Sequence, residues 1–480
     1  MSLVVSDKIP DMSEQYDQTS PKDIERYGRR LRGNTLRLTP GMKAIPVERL
    51  ETLIGGHTKA SFGYLLERYY YGINPGNVSA PDFPKAGVEL KSTPLKLSRG
   101  SYAAKERLVL NIINYKKEAK VADFTTSSFL KKNARIMLIA YEHGLERAAV
   151  DNPVHIAQLL DFNRLPEKDQ RIIEADWNRI VKKIRDGKAH ELSEGDTDYL
   201  SACTKAAKGT DSREQAAGGP RAKPRAFSFK AGYMTVLLQQ ILQPAVADKE
   251  YEAAVEDPKV LARKSFEDEI IGRFSRFIGK SVGEIHQVLG KGLNIKSKDY
   301  FAMLARRMIG VHKKKIEEFE KAEISMKTIQ LRGNGMPKED MSFPAFKFLD
   351  VTKEVWNAED DSERVPTFKK QLQNRFLFVV YQCDKDCKSD DNKKLVKAFF
   401  WTMPNEVLDD EVRKVWSKTK AAIRASDVER LPKKSENRIA HVRPHGRNAD
   451  DTDTLPNGKE ETKRCFWLNS QFIKQQIANN

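Results

Sequence analysis

The chain has 480 residues, 39% hydrophobic and 31% charged, which is enough for two to four domains of about 100–200 residues each. No apolar run approaches the roughly 18 residues of a membrane span, and Met1 to Gln18 carries Asp and Glu without an apolar signal core, so no membrane or export role is indicated and a cytoplasmic location is expected. A net charge of +17 points to a polyanion, nucleic acid first, or else to a surplus that serves solubility alone, while four cysteines and eight scattered histidines exclude a disulfide framework and an HExxH zinc site.

In chain order, Ser20-Pro21 has the form of a helix cap followed by a first-turn proline. The first folded unit is therefore expected from residue 20, with 1–19 as an extension. Phe62, Leu65, Leu66, Tyr69 and Tyr70 fall at i, i+3, i+4, i+7 and i+8, the stripe of a core-facing helix, and Gly72 is a natural stop. Glu67 lies beside that stripe. It can reach an adjoining cleft or remain an ordinary helix-surface glutamate.

The segment Asp82-Phe83-Pro84-Lys85-Ala86-Gly87-Val88-Glu89-Leu90-Lys91 comes next. Read as a strand entered from a turn, it points Val88 and Leu90 to one side and Glu89 and Lys91 to the other. Asp82 and Glu89 can hold a divalent metal, and Lys91 can position or activate a water beside it. Hydrolysis of a phosphodiester needs that combination. The order Asp, then Glu-x-Lys, marks a large class of metal-dependent nucleases. A solvated strand face carries the same pattern by chance.

Apolar runs at Arg107 to Ile113 and Arg135 to Tyr141 predict strands, and His155 to Phe162 and Gln170 to Asp186 predict helices. This is a mixed sheet flanked by helices, in the α/β class. Pro244, an acidic run and Pro258 mark 243–258 as a linker. Gly279-Lys280-Ser281 fails as a phosphate-binding loop, because Phe274 stands where the leading glycine belongs. Cys383 and Cys387 have no second metal-ligand pair nearby and read as ordinary thiols.

The second part of the chain echoes the first. Lys59 to Arg68 aligns with Lys298 to Arg307, and Phe83 to Lys91 with Phe319 to Lys327. Arg135 to Tyr141 aligns with Arg375 to Tyr381, Trp177 with Trp416, and Arg225-Ala226-Phe227 with Arg464-Cys465-Phe466. The spacing stays at about 240 residues, too long for a solenoid. Two tandem copies of one domain are expected, at 20–242 and 259–480. In the second copy Glu89 becomes Ser325, Glu67 becomes Arg306, and the place of Asp82 falls on Glu318, while Lys91 survives as Lys327. The first copy is expected to carry the chemistry and the second to bind without cutting.

These segments resemble a known family. Lys59 to Glu67, Asp82 to Pro94, Lys105 to Tyr115, His190 to Gly195, Thr204-Lys205-Ala206-Ala207 and Arg225 to Thr235 resemble the MutH mismatch-repair endonuclease fold. The doubled chain, with Ser342 to Phe348 and His441 to His445, resembles the Sau-three-A-type restriction endonucleases that cut at GATC. The resemblance implies a restriction-endonuclease-like (MutH-like) fold in both copies. It makes Asp82 and Glu89, with the Leu90 carbonyl, ligands of Mg2+. Lys91 would orient or deprotonate the attacking water, and Glu67 would support a second metal or a water. Cleavage before the G of GATC would leave a 5′-phosphate.

By the same resemblance the DNA contacts are Lys59, Lys205, Lys223, Arg225, Ser228 and Lys230. Lys205 is the reader of a base or phosphate, and Lys223, Arg225 and Lys230 are phosphate contacts. Ser228 stands where MutH has an aromatic residue. Methylation sensing loses its basis there, so adenine methylation is expected to be tolerated. The implied partners are double-stranded GATC DNA, two duplexes per active assembly, and a cognate DNA methyltransferase as genetic companion. A mismatch-repair nicking enzyme that needs accessory proteins is one alternative, and a non-catalytic DNA-binding protein is another. The doubled chain opposes the former, and the intact Asp82, Glu89 and Lys91 oppose the latter.

Overall fold

Ser20 caps the helix Pro21–Gly28, its hydroxyl accepting the Asp23 N–H at 3.3 Å with Pro21 in the first turn. The computed structural model describes residues 11–39, 60–74, 76, 79–98, 100–144, 147–205, 211–358, 364–383, 389–448 and 450–480. Tyr27 on this helix stacks on Tyr16 and Tyr70, with ring centroids 4.4 and 4.6 Å apart. The helix thereby ties residues 11–19 to the helix Ala60–Leu65 and its π-helical continuation Leu66–Tyr70. Phe62, Leu65, Leu66 and Tyr70 are buried, as the stripe requires, and Gly72 ends the segment at φ +65°.

Strand β1 (Glu89–Ser98) lies between β2 (Ser101–Ala104) and β4 (Arg135–Glu142), and β4 pairs with β5 (Val154–Asp161). Strands β1 and β4 are parallel; the other pairs are antiparallel. The Val88, Leu90, Met137 and Ile139 face packs against the N-terminal helices. The Ile136 and Leu138 face joins a larger core with Trp177, on the helix Glu167–Arg185. A second sheet, in the order β3-β7-β6, is made by β3 (Leu108–Ile112), β6 (Leu200–Thr204) and β7 (Arg225–Phe229).

The segment His155–Phe162, expected as a helix, is a correction: Val154–Asp161 is strand β5, paired antiparallel with β4. A short apolar run has no period long enough to separate helix from strand. Here a partner strand supplies the ladder that the local sequence does not specify.

The second half begins with β8 (Tyr251–Glu252), paired with β9 (Lys315–Ile316). One sheet then runs β10 (Ile324–Leu331), β12 (Arg375–Gln382), β13 (Lys394–Trp401). Another is built from β11 (Met341–Ser342), β17 (Arg464–Leu468) and β14 (Ala440–Pro444), with a hairpin of β15 (Thr452–Thr454) and β16 (Glu460–Thr462). The pairs β10–β12, β12–β13, β11–β17 and β14–β17 match β1–β4, β4–β5, β3–β7 and β6–β7 in sense, while β2 has no strand counterpart among the described residues. Glu89 is opposite Ile136 in a parallel pair, and Ser325 is opposite Phe376 in another. Phe229 is opposite Leu108 and Leu200, and Leu468 is opposite Met341 and Ala440. The turn before β1 has Gly87 at φ +63°, and the turn before β10 has Glu323 at φ +57°. The Trp177 indole donates to buried Glu118 at 2.9 Å, and the Trp416 indole donates to buried Glu354 at 2.6 Å.

The two halves share the largest apolar cluster, which includes Trp177, Phe227, Ile270, Phe319 and Leu377. Buried ion pairs cross the same junction. The Lys321 ammonium lies 2.8 Å from Asp169, with both side chains 1% exposed, and Arg375 reaches Asp198 at 2.7 Å. Residues 243–258, expected as a linker, include the helix Pro244–Glu250 and strand β8. Cys383 is disulfide-bonded, which corrects its reading as a thiol, and Cys387 lies outside the described residues. Cys203 and Cys465 are buried thiols. Among the described residues no helix is long and apolar enough to cross a membrane.

Candidate active site

The turn before β1 builds the site. Phe83 and Val88 exchange both backbone hydrogen bonds, at 2.9 and 3.3 Å, which folds residues 83–88 into a tight loop. Gly87 takes the left-handed conformation that this closure needs. Asp82 is carried back over the first residues of the strand. Its N–H donates to Glu89 Oε2 at 3.2 Å, and its Oδ2 accepts the Leu90 N–H at 2.9 Å. Val88 and Leu90 are buried beneath the N-terminal helices. Glu89 and Lys91 occupy the opposite side, as alternation requires.

That side is less wet than the pattern alone suggests, because Glu89 is only 2% exposed. Its Oε1 lies 2.8 Å from the Lys91 ammonium and 3.5 Å from the Lys132 ammonium. Burial pushes the Glu89 carboxyl above its ordinary value; Lys91 opposes this, the Asp82 charge adds to it, and Lys132 opposes it as well. Glu67, on the π-helical turn, is pushed up to about 7 by burial, then by the charge of Asp82, with Lys91 pulling the other way. Glu67, Asp82, Glu89, Lys91 and Lys132 therefore form one electrostatic unit.

Lys132 is the member that sequence reading missed. It is the last-but-one residue of the helix Ser128–Asn133, in the turn that leads into β4. Lys131 and Lys132 are adjacent in sequence, and only the helix phase separates them. Lys131 is exposed, whereas Lys132 turns toward Glu89.

Among the described residues no group of three or more His, Cys, Asp or Glu is arranged as a metal cage. Asp82 and Glu89 offer only oxygen donors in a negatively biased, partly desolvated setting. That fits a hard divalent cation such as Mg2+, which typically takes one or two carboxylates and completes its shell with water and phosphate.

Comparison with known proteins adds to this geometry. The family model described as the DNA mismatch repair enzyme MutH matches residues 71–176, a span that holds Asp82, Glu89, Lys91 and Lys132. The chain is also 36% identical over 472 residues to the type II restriction enzyme Sau3AI of Staphylococcus aureus, covering 88% of this chain and 93% of that enzyme. The chain belongs to the Sau3AI family of type II restriction enzymes. It is a DNA endonuclease, a hydrolase of phosphodiester bonds.

For a Sau3AI-family enzyme, the expected DNA contacts divide into two groups. Lys223 is exposed, and Lys205 is half-buried with its N–H donating to the Pro224 carbonyl at 2.8 Å. Ala206 and Ala207 lie outside the described residues, as does Lys59. The other three, Arg225, Ser228 and Lys230, are interior. The Arg225 guanidinium donates to the Ala202 and Leu192 carbonyls. Lys230 donates to Thr197 O at 2.6 Å and to Ala322 O, in the second half, at 3.2 Å. Ser228 is fully buried and shares a 2.9 Å hydrogen bond with Ser201. Arg225 satisfies carbonyls of β6 and of Leu192, and Lys230 satisfies carbonyls of Thr197 and, across the junction, Ala322. Two of the matched segments do meet each other: Arg107 forms an ion pair with Glu194.

Proposed function

We propose that this restriction enzyme cuts double-stranded DNA at GATC, before the G, using Mg2+ held in the first half. The observation that carries the catalytic assignment is the meeting of Asp82, Glu89 and Lys91 at the start of β1, with Glu89 buried against two lysines. Asp82 and Glu89 would hold the ion, with the Leu90 carbonyl beside them. When bound, the ion supplies charge neutralisation at the phosphoryl oxygens and a water of lowered pKa. Lys91, fixed by Glu89, orients the attacking water against the phosphate. Glu67, with its carboxyl near 7, is matched to accept a proton around neutral pH.

The second half reads as a degenerate copy of the first. Four strand pairs that match in sense, the repeated left-handed turn and the repeated Trp–Glu pair support this. At the place of Glu89 it has Ser325, and Glu318, at the place of Asp82, is fully buried and accepts the Ala254 N–H at 2.8 Å. We assign it DNA binding without cleavage, with two duplexes per active assembly and a cognate methyltransferase protecting the host. The net charge of +17 supports that assignment.

The test incubates purified protein with unmethylated plasmid and magnesium, without ATP. Double-strand fragments with 5′-GATC ends are expected. Nicking that depends on added repair proteins, or retention of DNA without any cleavage, would overturn the proposal.

A further inference from the structure

The second half keeps the lysine of the catalytic motif and loses its counter-charge. In the first half Lys91 is paired with Glu89 at 2.8 Å. In the second, Lys327 stands two residues after Ser325 on β10, and no carboxylate among the described residues pairs with it. Its ammonium has only the Ser342 carbonyl at 3.5 Å and the face of Phe343, 5.7 Å from the ring centroid. Burial holds it below the ordinary lysine value with no charge in opposition. A half-buried cation without a carboxylate partner is costly unless something supplies the missing anion.

Lys327 also faces open space. It lines a cavity of about 280 Å³ together with Gln330, Lys338, Glu339, Asp340 and Ser342. Asp340 does not serve as the counter-ion. It accepts Lys434 and the Ser470 N–H, both at 2.7 Å, and lies 3.6 Å from Arg443. Lys338 and Glu339 are exposed at the rim. The Gln330 side-chain carbonyl is taken by the Lys393 ammonium at 2.5 Å, so the polar groups left for a ligand are the Lys327 ammonium and the Ser342 hydroxyl, a pair of donors that suits an oxyanion.

We propose that this cavity is a phosphate-binding site that takes a backbone phosphodiester of DNA directly, with no metal ion. The first half needs a cation to bring a phosphate against three acids. The second half has exchanged Glu89 for serine at the same register, so its lysine can meet the phosphate alone. This rests on the reading of the second half as DNA-binding, and it adds the anchoring residue and independence from metal.

The test compares full-length wild type with Lys327→Met in EDTA. Methionine keeps the length of the side chain and removes the charge, so the variant should melt at or above wild type. Inorganic phosphate should raise the melting temperature of wild type and not of Lys327→Met. Titration with GATC duplex should show two bound duplexes for wild type. For the second of these, loss of one phosphate contact should lower the slope of log K against log salt by about 0.9. An unchanged slope with two duplexes bound overturns the DNA assignment and leaves the function of the second half standing. If wild type binds a single duplex, that function fails, and the phosphate melting shift alone then decides the anion site. An equal phosphate shift in both proteins overturns the site altogether.

Discussion

Glu67→Gln should make the DNA-free enzyme more stable in alkaline than in acidic solution, relative to wild type. The Glu67 carboxyl titrates near 7 in the folded chain, against an ordinary value of 4.5. Between those values the native state holds a proton that the unfolded chain has released. The contribution of this group to stability is therefore highest below 4.5, falls as pH rises toward 7, and is flat beyond it. A displacement from 4.5 to about 7 corresponds to about 3 kcal/mol. Glu67 keeps some contact with water, and screening reduces the figure to about 1–2 kcal/mol. Glutamine has the same shape without the charge. Urea unfolding of chelator-treated protein should show the variant stabilised by that amount at pH 8, and by less than half of it at pH 5. Magnesium should narrow the gap at pH 8, because a cation in the site relieves the same repulsion. An equal effect at both pH values, or destabilisation at both, would refute the account of Glu67 as a charge strained by burial and by Asp82.

Other substitutions probe the remaining parts. Glu89→Ala should abolish cleavage while duplex binding in calcium persists; gel shift and plasmid cleavage on one preparation check both, and retained cutting removes the site. Lys132→Met should slow cleavage by about 10–100-fold. It should also move the acid limb of the pH–rate profile to higher pH, since Lys132 favours the ionised form of Glu89; a slower rate with an unmoved limb would make Lys132 a structural residue only. Trp177→Phe and Trp416→Phe each strip an indole donor from a buried glutamate, and each should cost about 1–3 kcal/mol by denaturant unfolding. Markedly unequal penalties would argue against equivalent roles in the two halves.

Much of the site was legible without coordinates. Strand alternation alone separates Val88 and Leu90 from Glu89 and Lys91, because the pleat has a period of two whatever the strand packs against. The helix stripe from Phe62 to Tyr70 placed Glu67 beside a cleft for the same local reason. These are short-range rules, and the turn closed by Phe83 and Val88 obeys them. Strand β5 was not legible, because the run from Val154 to Asp161 has no decisive period and took its form from β4. Neither was Lys132, whose adjacency to Glu89 is a contact between a helix end and a strand start more than 40 residues apart in the chain.

The basic residues show the division most clearly. Composition established a surplus of positive charge, and the motif established where an acid-rich centre sits. Which lysines and arginines face DNA is a different matter. Arg225 and Lys230 stand in the segment that resembles a DNA reader, yet both turn inward to carbonyls, one of them across the junction between halves. A charged side chain has no local periodicity that commits it to solvent. Its direction depends on whether distant backbone leaves an acceptor unsatisfied, and only the packed tertiary structure determines that.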